Sequence, residues 1–242
     1  MAHFYLSDNL DGVREGDEVR LDAPESRHIV TVSRTRDGET ILLGNGRGMT
    51  VRGTVLSADP AGAVVRAEHV ENAAPHRQHV ILVQALAKGG RDEMAVQAAT
   101  ELGVDAVIPW SAERSIARWD GTKAVKGRDR WQAITREATK QSMRAWLPEV
   151  RALASTSELA ESARDVRMLV LEPSAKTPLS AITPDASDLA LVVGPEGGVS
   201  PRELEAFEAA GAEPVRLGAG VLRTSTAGPA ALAVINLILG RW

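Results

Sequence analysis

The pattern of apolar and polar positions changes near residue 72. Before that point, short β-prone runs recur, separated by turn signals such as Asp11-Gly12 and Asn45-Gly46. Short strands at this spacing are typical of a small β-barrel, so we predict a barrel domain over residues 1–72. One helix is expected within it, from about Pro24 to Arg34. The predicted strands are Phe4–Leu6, Glu18–Leu21, Thr40–Leu43, Met49–Leu56 and Ala63–Val70.

After a polar, proline-containing linker over Glu71–His79, apolar strands alternate with helices. Several of these strands are continuous apolar runs, which indicates a sheet buried on both faces. The pattern predicts an α/β domain with a largely parallel sheet over residues 73–242. The predicted strands are Val80–Leu86, Ala106–Pro109, Met168–Leu171, Leu189–Val193 and Pro214–Leu217. The predicted helices are Asp92–Leu102, Arg128–Met143, Ser200–Ala210 and the apolar Ala227–Leu239.

Several classes of protein do not fit this composition. The chain has no cysteine, which excludes disulfides, thiolate zinc sites and cysteine nucleophiles. It has no P-loop, no nucleophile elbow and no paired-histidine zinc helix. The first residues lack a signal-peptide pattern, and no apolar run reaches the roughly 20 residues of a membrane span. We therefore expect a cytoplasmic protein with no membrane partner and no metal.

The net charge of −4 decides little, because the charge is unevenly spread. Residues 112–144 carry nine Lys and Arg residues against four Asp and Glu residues, and four of the five tryptophans lie in or beside this stretch. Basic residues with interleaved aromatic rings suit RNA, since phosphates bind the charges and unstacked bases can stack on the rings. A solvated amphipathic helix with tryptophans in the core explains the same composition equally well.

Two glycine-rich loops follow predicted strands. The Gly194–Gly198 loop precedes a capped helix, and ligands of open α/β sheets bind at the carboxyl ends of the strands. A tight turn or a phosphate cradle would also fit, although Glu196 would repel a phosphate. The Leu217–Gly228 loop carries a polar cluster in which Thr224 or Ser225 could cap the next helix, whereas the charge of Arg223 needs a partner. Together the loops predict one shared ligand slot.

Four stretches of the chain resemble the RsmE-type ribosomal RNA uridine-N3 methyltransferases of the SPOUT superfamily. They are Thr100–Arg114, Lys140–Val150, Val193–Ser200 and Leu217–Thr226. The resemblance implies an N-terminal PUA-like β-barrel that binds RNA and a C-terminal SPOUT α/β domain with a trefoil knot. It also implies a homodimer with each cofactor site near the subunit interface. S-adenosyl-L-methionine would be the cofactor, and a uridine of 16S ribosomal RNA within the assembled small subunit would be the substrate.

The resemblance also suggests site residues. The proton on N3 must leave, so either Glu196 acts as the base or Arg223 stabilises the uridine anion while water takes the proton. The residues expected to bind the cofactor are Leu171, Glu172, Gly194, Pro195, Glu196, Gly197, Gly198, Leu217, Gly218, Val221, Leu222, Arg223, Thr224 and Thr226. The residues expected to bind RNA are Arg91, Arg114, Arg118, Arg128, Arg130, Gln141 and Arg144.

The chain departs from the family pattern at a few positions, and two other functions stay open. Ser225 stands where many relatives have an acidic residue, Gly220 where they have Arg, and Lys140 and Met143 replace the Glu and Gly often seen around Gln141. A SPOUT ribose 2′-O-methyltransferase is one alternative, although its usual asparagine-centred motif is not seen here. A non-catalytic RNA-binding or ribosome-assembly protein is the other.

Overall fold

The computed structural model of the protein describes residues 4–242. The first part of the chain is built on a five-stranded sheet. Its strand order is β1-β3-β4-β5-β2, with β1 parallel to β3 and the other neighbours antiparallel. Alternate residues, such as Val51 and Val55 on one strand and Val65 on the next, point into one apolar core. The strands are β1 Phe4–Leu6, β2 Glu18–Arg20, β3 Thr40–Gly44, β4 Met49–Ser57 and β5 Val64–Asn72. All five predicted strands are confirmed, and Glu71 and Asn72, predicted as linker, extend β5.

One short α-helix, α1 (Ala23–Arg27), and a 3-10 turn over Asp8–Leu10 interrupt these strands. The carboxylate of Asp22 accepts a hydrogen bond from the backbone N–H of Glu25, and Pro24 lies in the first turn, as expected of a helix start. The chain continues as a π-helical turn over His28–Val32. The predicted helix to Arg34 is therefore too long at its end, because Arg34 takes a positive φ of 54° that no helix tolerates.

Residues 139–147 also belong to this first unit, which otherwise ends at His76. The backbone N–H of Gly48 donates to the carbonyl of Ala145 at 2.9 Å, and that of Leu147 donates to Gly46 at 2.9 Å. The indole N–H of Trp146 donates to the carbonyl of Ala73 at 3.1 Å. This pairing was not predicted, because nothing in the local pattern of residues 139–147 identifies a partner about 100 residues earlier.

The second unit, residues 77–138 and 148–242, is built on a seven-stranded sheet in which every neighbouring pair is parallel. The strands are β6 Val80–Ala85, β7 Ala106–Trp110, β8 Glu149–Val150, β9 Arg167–Leu171, β10 Thr177–Pro178, β11 Leu189–Val193 and β12 Glu213–Arg216. Their order across the sheet is β10-β12-β9-β11-β6-β7-β8. The helices are α2 Arg91–Glu101, α3 Thr122–Gln141, α4 Thr156–Ser162, α5 Pro201–Ala209 and α6 Thr224–Ile238. The last three residues of α3 belong to the first unit.

Apolar side chains cover both faces of this sheet. Leu82 and Leu191 lie in the core on one face, and their chain neighbours Val83 and Val192 lie in the core on the other. This two-sided burial explains why the central strands read as continuous apolar runs. The predicted parallel α/β architecture is confirmed, whereas the trefoil knot stays a prediction. No helix in the described part of the chain is long and apolar enough to cross a membrane.

The sequence-based boundaries were wrong in a few places. The helix α3 begins at Thr122, six residues before the predicted start, and α6 begins at Thr224, because the prediction followed only the apolar run. The strands β8 and β10 have two residues each, too few for a pattern. The helix α4 was overlooked although Ser155 and Glu158 form a capping box at its start.

Candidate functional site

A cavity of about 430 Å³ opens at the carboxyl edge of the parallel sheet. The adjacent strands β12, β9 and β11 all end there, which is where open α/β sheets bind ligands. Its walls come from the loops after these three strands, from the start of α6 and from Arg91 at the start of α2. Apolar side chains such as Val193, Val215 and Leu217 line it together with the backbone of the two glycine-rich loops.

The cavity brings together most of the residues predicted for the cofactor. Gly197, Gly218 and Thr226 do not line it, although each is next to a residue that does. Those that line it are Leu171, Glu172, Gly194, Pro195, Glu196, Gly198, Leu217, Val221, Leu222, Arg223 and Thr224. The prediction missed Pro173, Val193, Val199, Val215, Gly220 and Ala227, and it gave Arg91 to RNA alone. Apolar ends of strands beside a predicted ligand loop were the available signal for Val193 and Val215.

The loop after β11, Gly194–Val199, is held in one conformation. The backbone N–H of Gly198 donates to the carbonyl of Pro195 at 2.9 Å and closes a turn. Gly198 has a φ of 71°, a left-handed conformation that favours glycine. The guanidinium of Arg114 donates from Nη1 to the carbonyl of Gly197 at 3.0 Å. Arg114, predicted to contact RNA, therefore fixes the backbone of this loop.

A second set of contacts joins the start of α5 to the segment after β7. The hydroxyl of Ser200 donates to Oε2 of Glu113 at 2.5 Å and accepts from the backbone N–H of Glu203 at 3.2 Å. Oε1 of the buried Glu203 accepts from the backbone N–H of Glu113 at 2.7 Å and from the hydroxyl of Thr156 at 3.0 Å. These bonds explain why the predicted capping box at Ser200 forms and also tie down the loop that precedes it.

Glu196 is paired with a cation. Its Oε1 accepts from Nη1 of Arg91 at 2.9 Å and from the backbone N–H of Lys88 at 3.2 Å. Partial burial by itself would raise the pKa of Glu196, but hydrogen bonds from its own backbone N–H, from Arg91 and from Lys88 together hold the pKa below its ordinary value. Glu196 is therefore a carboxylate at neutral pH and a weak proton acceptor.

The loop after β12 is far less restrained. Residues 218–223 are all exposed, and Val221 keeps 80% of its surface accessible. Within residues 4–242, the guanidinium of Arg223 makes no hydrogen bond or ion pair, although Arg223 lines the cavity. The hydroxyl of Thr224 does not cap α6 but donates to the carbonyl of Gly194 at 2.8 Å, so it joins the two loops.

The residues predicted to bind RNA lie on several different elements, and most of the arginines already have intramolecular partners. Arg91 pairs with Glu196 and Arg130 with Glu93, while Arg118 donates to backbone carbonyls of residues 112 and 113 and Arg128 to that of Val150. Arg114, Arg118, Arg128 and Arg130 remain exposed, and so does Gln141, whereas Arg144 is half-buried. Because a guanidinium has five N–H donors, these bonds leave donors for phosphates.

Two of the four tryptophans in or beside the basic stretch agree with the alternative of a core role. Trp110 and Trp131 are completely buried, and Trp131 meets Trp119 edge to face at a ring separation of 5.2 Å. Trp110 and Trp131 are therefore core residues that cannot stack on bases. Among residues 4–242, no three His, Cys, Asp or Glu side chains come together in a way that could hold a metal ion.

Comparison with known proteins decides the family. Residues 74–236 match the model of an RNA methyltransferase domain, and residues 21–68 match that of an RNA methyltransferase PUA domain. Over 228 residues the chain is 42% identical to ribosomal RNA small subunit methyltransferase E of Mycobacterium bovis, covering 92% of this chain and 87% of that protein. The chain belongs to this methyltransferase family.

Other members of the family agree. The Bacillus subtilis ribosomal RNA small subunit methyltransferase E is 30% identical over 250 residues, which cover 98% of this chain and 96% of that one. The crystal structure of the Neisseria gonorrhoeae methyltransferase E bound to S-adenosyl methionine superposes with a TM-score of 0.88 at 29% identity, with 98% of each chain covered. The predicted family, the PUA-like first part and the methyltransferase domain are thereby confirmed.

Proposed function

We propose that this protein is an S-adenosylmethionine-dependent methyltransferase that methylates N3 of one uridine in 16S ribosomal RNA of the small subunit. We assign residues 1–72 to its PUA-like RNA-binding domain and residues 73–242 to its methyltransferase domain, apart from residues 139–147, which belong to the first unit. The observation that carries the proposal is the cavity at the carboxyl edge of the parallel sheet, lined by most of the positions that the family motifs single out. Membership of the methyltransferase E family supports the substrate.

The cavity suits the cofactor in size and in lining. Its volume of about 430 Å³ lies within the range of small-molecule sites. Leu171, Val193 and Val215 offer apolar surface for an adenine ring, and the carboxylates of Glu172 and Glu196 suit a ligand that carries a positive charge. S-adenosylmethionine would supply an electrophilic methyl group at this place. The chain's own residues would bind it, orient it and exclude water.

Arg223 is the residue best placed to act on the uridine. It lines the cavity, is exposed, and has no partner for its guanidinium in the described part of the chain. A base that loses its N3 proton carries negative charge on its carbonyl oxygens, and a fixed cation can stabilise that charge as it develops. Arg223 would therefore lower the barrier to deprotonation of the substrate, while water takes the proton.

Glu196 is not the base in this proposal. Its carboxylate already binds Arg91 and the backbone N–H of Lys88, and its pKa is lowered. A general base works best when its pKa lies near the working pH, and a lowered carboxyl pKa lies far below it. Glu196 instead keeps the cofactor loop in place and contributes negative charge to the cavity.

The RNA would contact the exposed arginines of the second unit and the PUA-like unit, with the target base unpaired or flipped out so that N3 is reachable. The predicted contacts are Arg91, Arg114, Arg118, Arg128, Arg130, Gln141 and Arg144. Binding should weaken with salt by about 0.7 log units per neutralised phosphate for each log unit of salt. The assembled small subunit in the cytoplasm is the proposed substrate, because it presents the uridine in its folded surroundings.

A homodimer is part of the proposal. On the last helix, α6, Leu237 is 65% exposed, and its neighbours Val234 and Ile238 are only partly buried. Leu237→Asp should convert a dimer into a monomer, because the substitution would bury a charge in an apolar interface. Size-exclusion chromatography with light scattering measures the mass. Val125→Asp, at a side chain that is 62% exposed on α3, is the matched control and should leave the mass unchanged; a monomeric wild type contradicts the proposal.

The product decides the function. The protein would be incubated with labelled S-adenosylmethionine and unmodified small ribosomal subunits, and the RNA would be digested and its nucleosides identified by mass spectrometry. N3-methyluridine at one site is the expected result. A ribose-methylated nucleoside would assign the 2′-hydroxyl as the target instead. Binding of RNA without any transfer would favour a non-catalytic assembly protein.

A further inference from the structure

One polar side chain lies in the apolar stripe of a central strand. Val80 and Leu82 of β6 and Leu86 directly after it belong to the core on one face of the sheet, and Gln84 occupies the same alternation with no exposed surface. Burying an amide is costly unless it is hydrogen-bonded. An apolar residue at this position would pack without that cost, so the contacts of Gln84 need an explanation.

The amide of Gln84 has a defined orientation. Its Nε2 donates to the carbonyl of Ala85 at 3.1 Å and to the hydroxyl of Thr224 at 2.9 Å. A carbonyl can only accept, so the Ala85 contact identifies the nitrogen and rules out the flipped amide. Since Thr224 accepts this bond, its own proton is free to be donated to the carbonyl of Gly194, 2.8 Å away.

This chain of bonds runs from the sheet to both cofactor loops. Thr224 begins α6 at the end of the loop after β12, and Gly194 begins the loop after β11. One turn further along α6, Gly228 lies so close to β6 that an added Cβ would be 2.9 Å from Cδ1 of Leu82. Residues four apart share a helix face, so this close approach brings Thr224 within reach of Gln84.

We propose that Gln84 is a positioning residue for the cofactor site, acting through the Thr224 hydroxyl on the Gly194 carbonyl. The inference rests on the proposed function, because it assumes that S-adenosylmethionine binds between the two loops. Gln84 does not line the cavity and acts by holding Thr224 in the rotamer that joins the loops. A buried hydrogen-bonded pair of this kind keeps a binding site in its productive arrangement before the ligand arrives.

The structure offers a matched control for a purely structural role. Asn236 is also a buried amide of the same unit, and its Nδ2 donates to the carbonyl of Leu102 at 2.7 Å, away from the cavity. Within residues 4–242, neither Oε1 of Gln84 nor Oδ1 of Asn236 has a hydrogen-bond donor. The two side chains therefore differ mainly in the group to which their nitrogen donates. Asn236→Leu removes a buried amide but keeps the hydrogen bonds from Gln84 to Thr224 and from Thr224 to Gly194, which we call the relay.

The first experiment measures the affinity of the full-length protein for S-adenosylmethionine by calorimetry. Gln84→Met and Thr224→Val should each raise the Kd about tenfold, the effect of losing one buried hydrogen bond. If the two residues act as one unit, the Kd of the double variant should be no more than about twofold higher than the Kd of the single variant that binds less tightly. Thr224→Ser keeps the hydroxyl and should restore binding. Asn236→Leu should lower the Tm and leave the Kd unchanged.

The second experiment needs no ligand. Hydrogen–deuterium exchange of the free protein should be faster in Gln84→Met than in wild type in two hydrogen-bonded segments, the Gly194–Val199 loop and the first turn of α6. Exchange in both segments should be unchanged in Asn236→Leu. Unchanged exchange in folded Gln84→Met, or additive effects on the Kd, would overturn the relay. If Gln84→Met does not fold, Thr224→Val decides. Wild type that does not bind S-adenosylmethionine would refute the proposed function, while the exchange result would still decide the relay.

Discussion

The two loops that meet at the cavity differ in how they are held. The Gly194–Val199 loop has partners on several sides: Arg114 binds its carbonyl of Gly197, Arg91 binds Glu196, and Ser200 fixes its end. In the loop after β12, residues 218–222 make no hydrogen bond within the described part of the chain, and they are exposed. Both loops contain glycine, so composition alone does not explain the difference.

The contrast indicates a division of labour. A loop fixed by bonds within its own chain can hold a cofactor without an ordering cost at binding. A loop that exposes Val221, Leu222 and Arg223 has its binding groups free. In the proposed enzyme those groups receive their partners from the second subunit and from the RNA. In the proposed enzyme, the first loop would therefore contribute mainly to cofactor affinity, and Arg223 of the second loop would contribute mainly to turnover.

The largest expected effect comes from the exposed loop after β12, residues 218–223, which we call the free loop. Arg223→Ala should lower kcat by about a hundred- to a thousandfold, the usual cost of removing a group that stabilises developing charge. The Kd for S-adenosylmethionine should stay within about threefold, since the guanidinium is proposed to act on the uridine. Single-turnover methyl transfer and calorimetry measure the two quantities. Normal turnover in Arg223→Ala, or a loss confined to cofactor binding, would remove the distinction between the loops.

The next largest effect is expected in the Gly194–Val199 loop, which we call the fixed loop. Arg114→Ala removes the bond to the Gly197 carbonyl, so the Kd for S-adenosylmethionine should rise about tenfold, equivalent to about 1.4 kcal/mol. Isothermal calorimetry without RNA measures this change apart from any phosphate contact. Arg151→Ala, which breaks an exposed ion pair with Glu149, is the control and should bind like wild type. Equal affinities of wild type, Arg114→Ala and Arg151→Ala would show that the loop keeps its conformation without the bond from Arg114.

A pair of glycines allows the loops to be compared directly. Gly198 in the fixed loop and Gly218 in the free loop have nearly the same φ, 71° and 70°, and an added Cβ would meet no atom at either position. Alanine therefore introduces only backbone strain. Gly198→Ala should lower the free energy of unfolding by about 1 kcal/mol, and Gly218→Ala by less, because the free loop can relax. Chemical denaturation measures both, and equal losses would contradict the contrast.

The smallest effect is the pH dependence of the Glu196 contacts. Because its pKa is lowered in the folded state, the carboxylate stabilises the fold above its unfolded pKa, near 4.5, and this stabilisation is lost as the pH falls through the lower folded value. The difference in unfolding free energy between wild type and Glu196→Gln should be about 0.5 kcal/mol and constant from pH 8 to about pH 5.5. Denaturation at several pH values measures it. A difference that changes near pH 7 would assign Glu196 a raised pKa and the role of a base.

The fold was predictable where a signal is local. Alternation and apolar runs placed β1, β6, β9 and β11 within a residue or so, and turn residues separated them. Since carboxyl ends of parallel strands share one edge, the two glycine-rich loops could be assigned to one site without knowing the strand order. The family motifs then supplied the cofactor and the target.

The rest depended on partners far away in sequence. Arg114 was predicted to contact RNA because the sequence shows its charge. The sequence does not show its hydrogen bond to the carbonyl of Gly197, 83 residues later. Glu196 read as a possible base because Arg91 and Lys88 precede it by about 100 residues. Gln84 stands out in the sequence as one polar residue in a buried apolar run. Its role could not be predicted, because its hydrogen-bond partner Thr224 is far away in sequence.

The assignment of Thr139–Leu147 to the N-terminal unit has a consequence for synthesis of the protein on the ribosome. A nascent chain released only to His76 lacks the segment that pairs with Gly46 and Gly48 and that brings Lys140 to Glu25. The missing piece is translated about 70 residues later, which takes roughly 4–14 s at 5–20 residues per second. The first unit therefore completes its fold only after much of the second has left the exit tunnel.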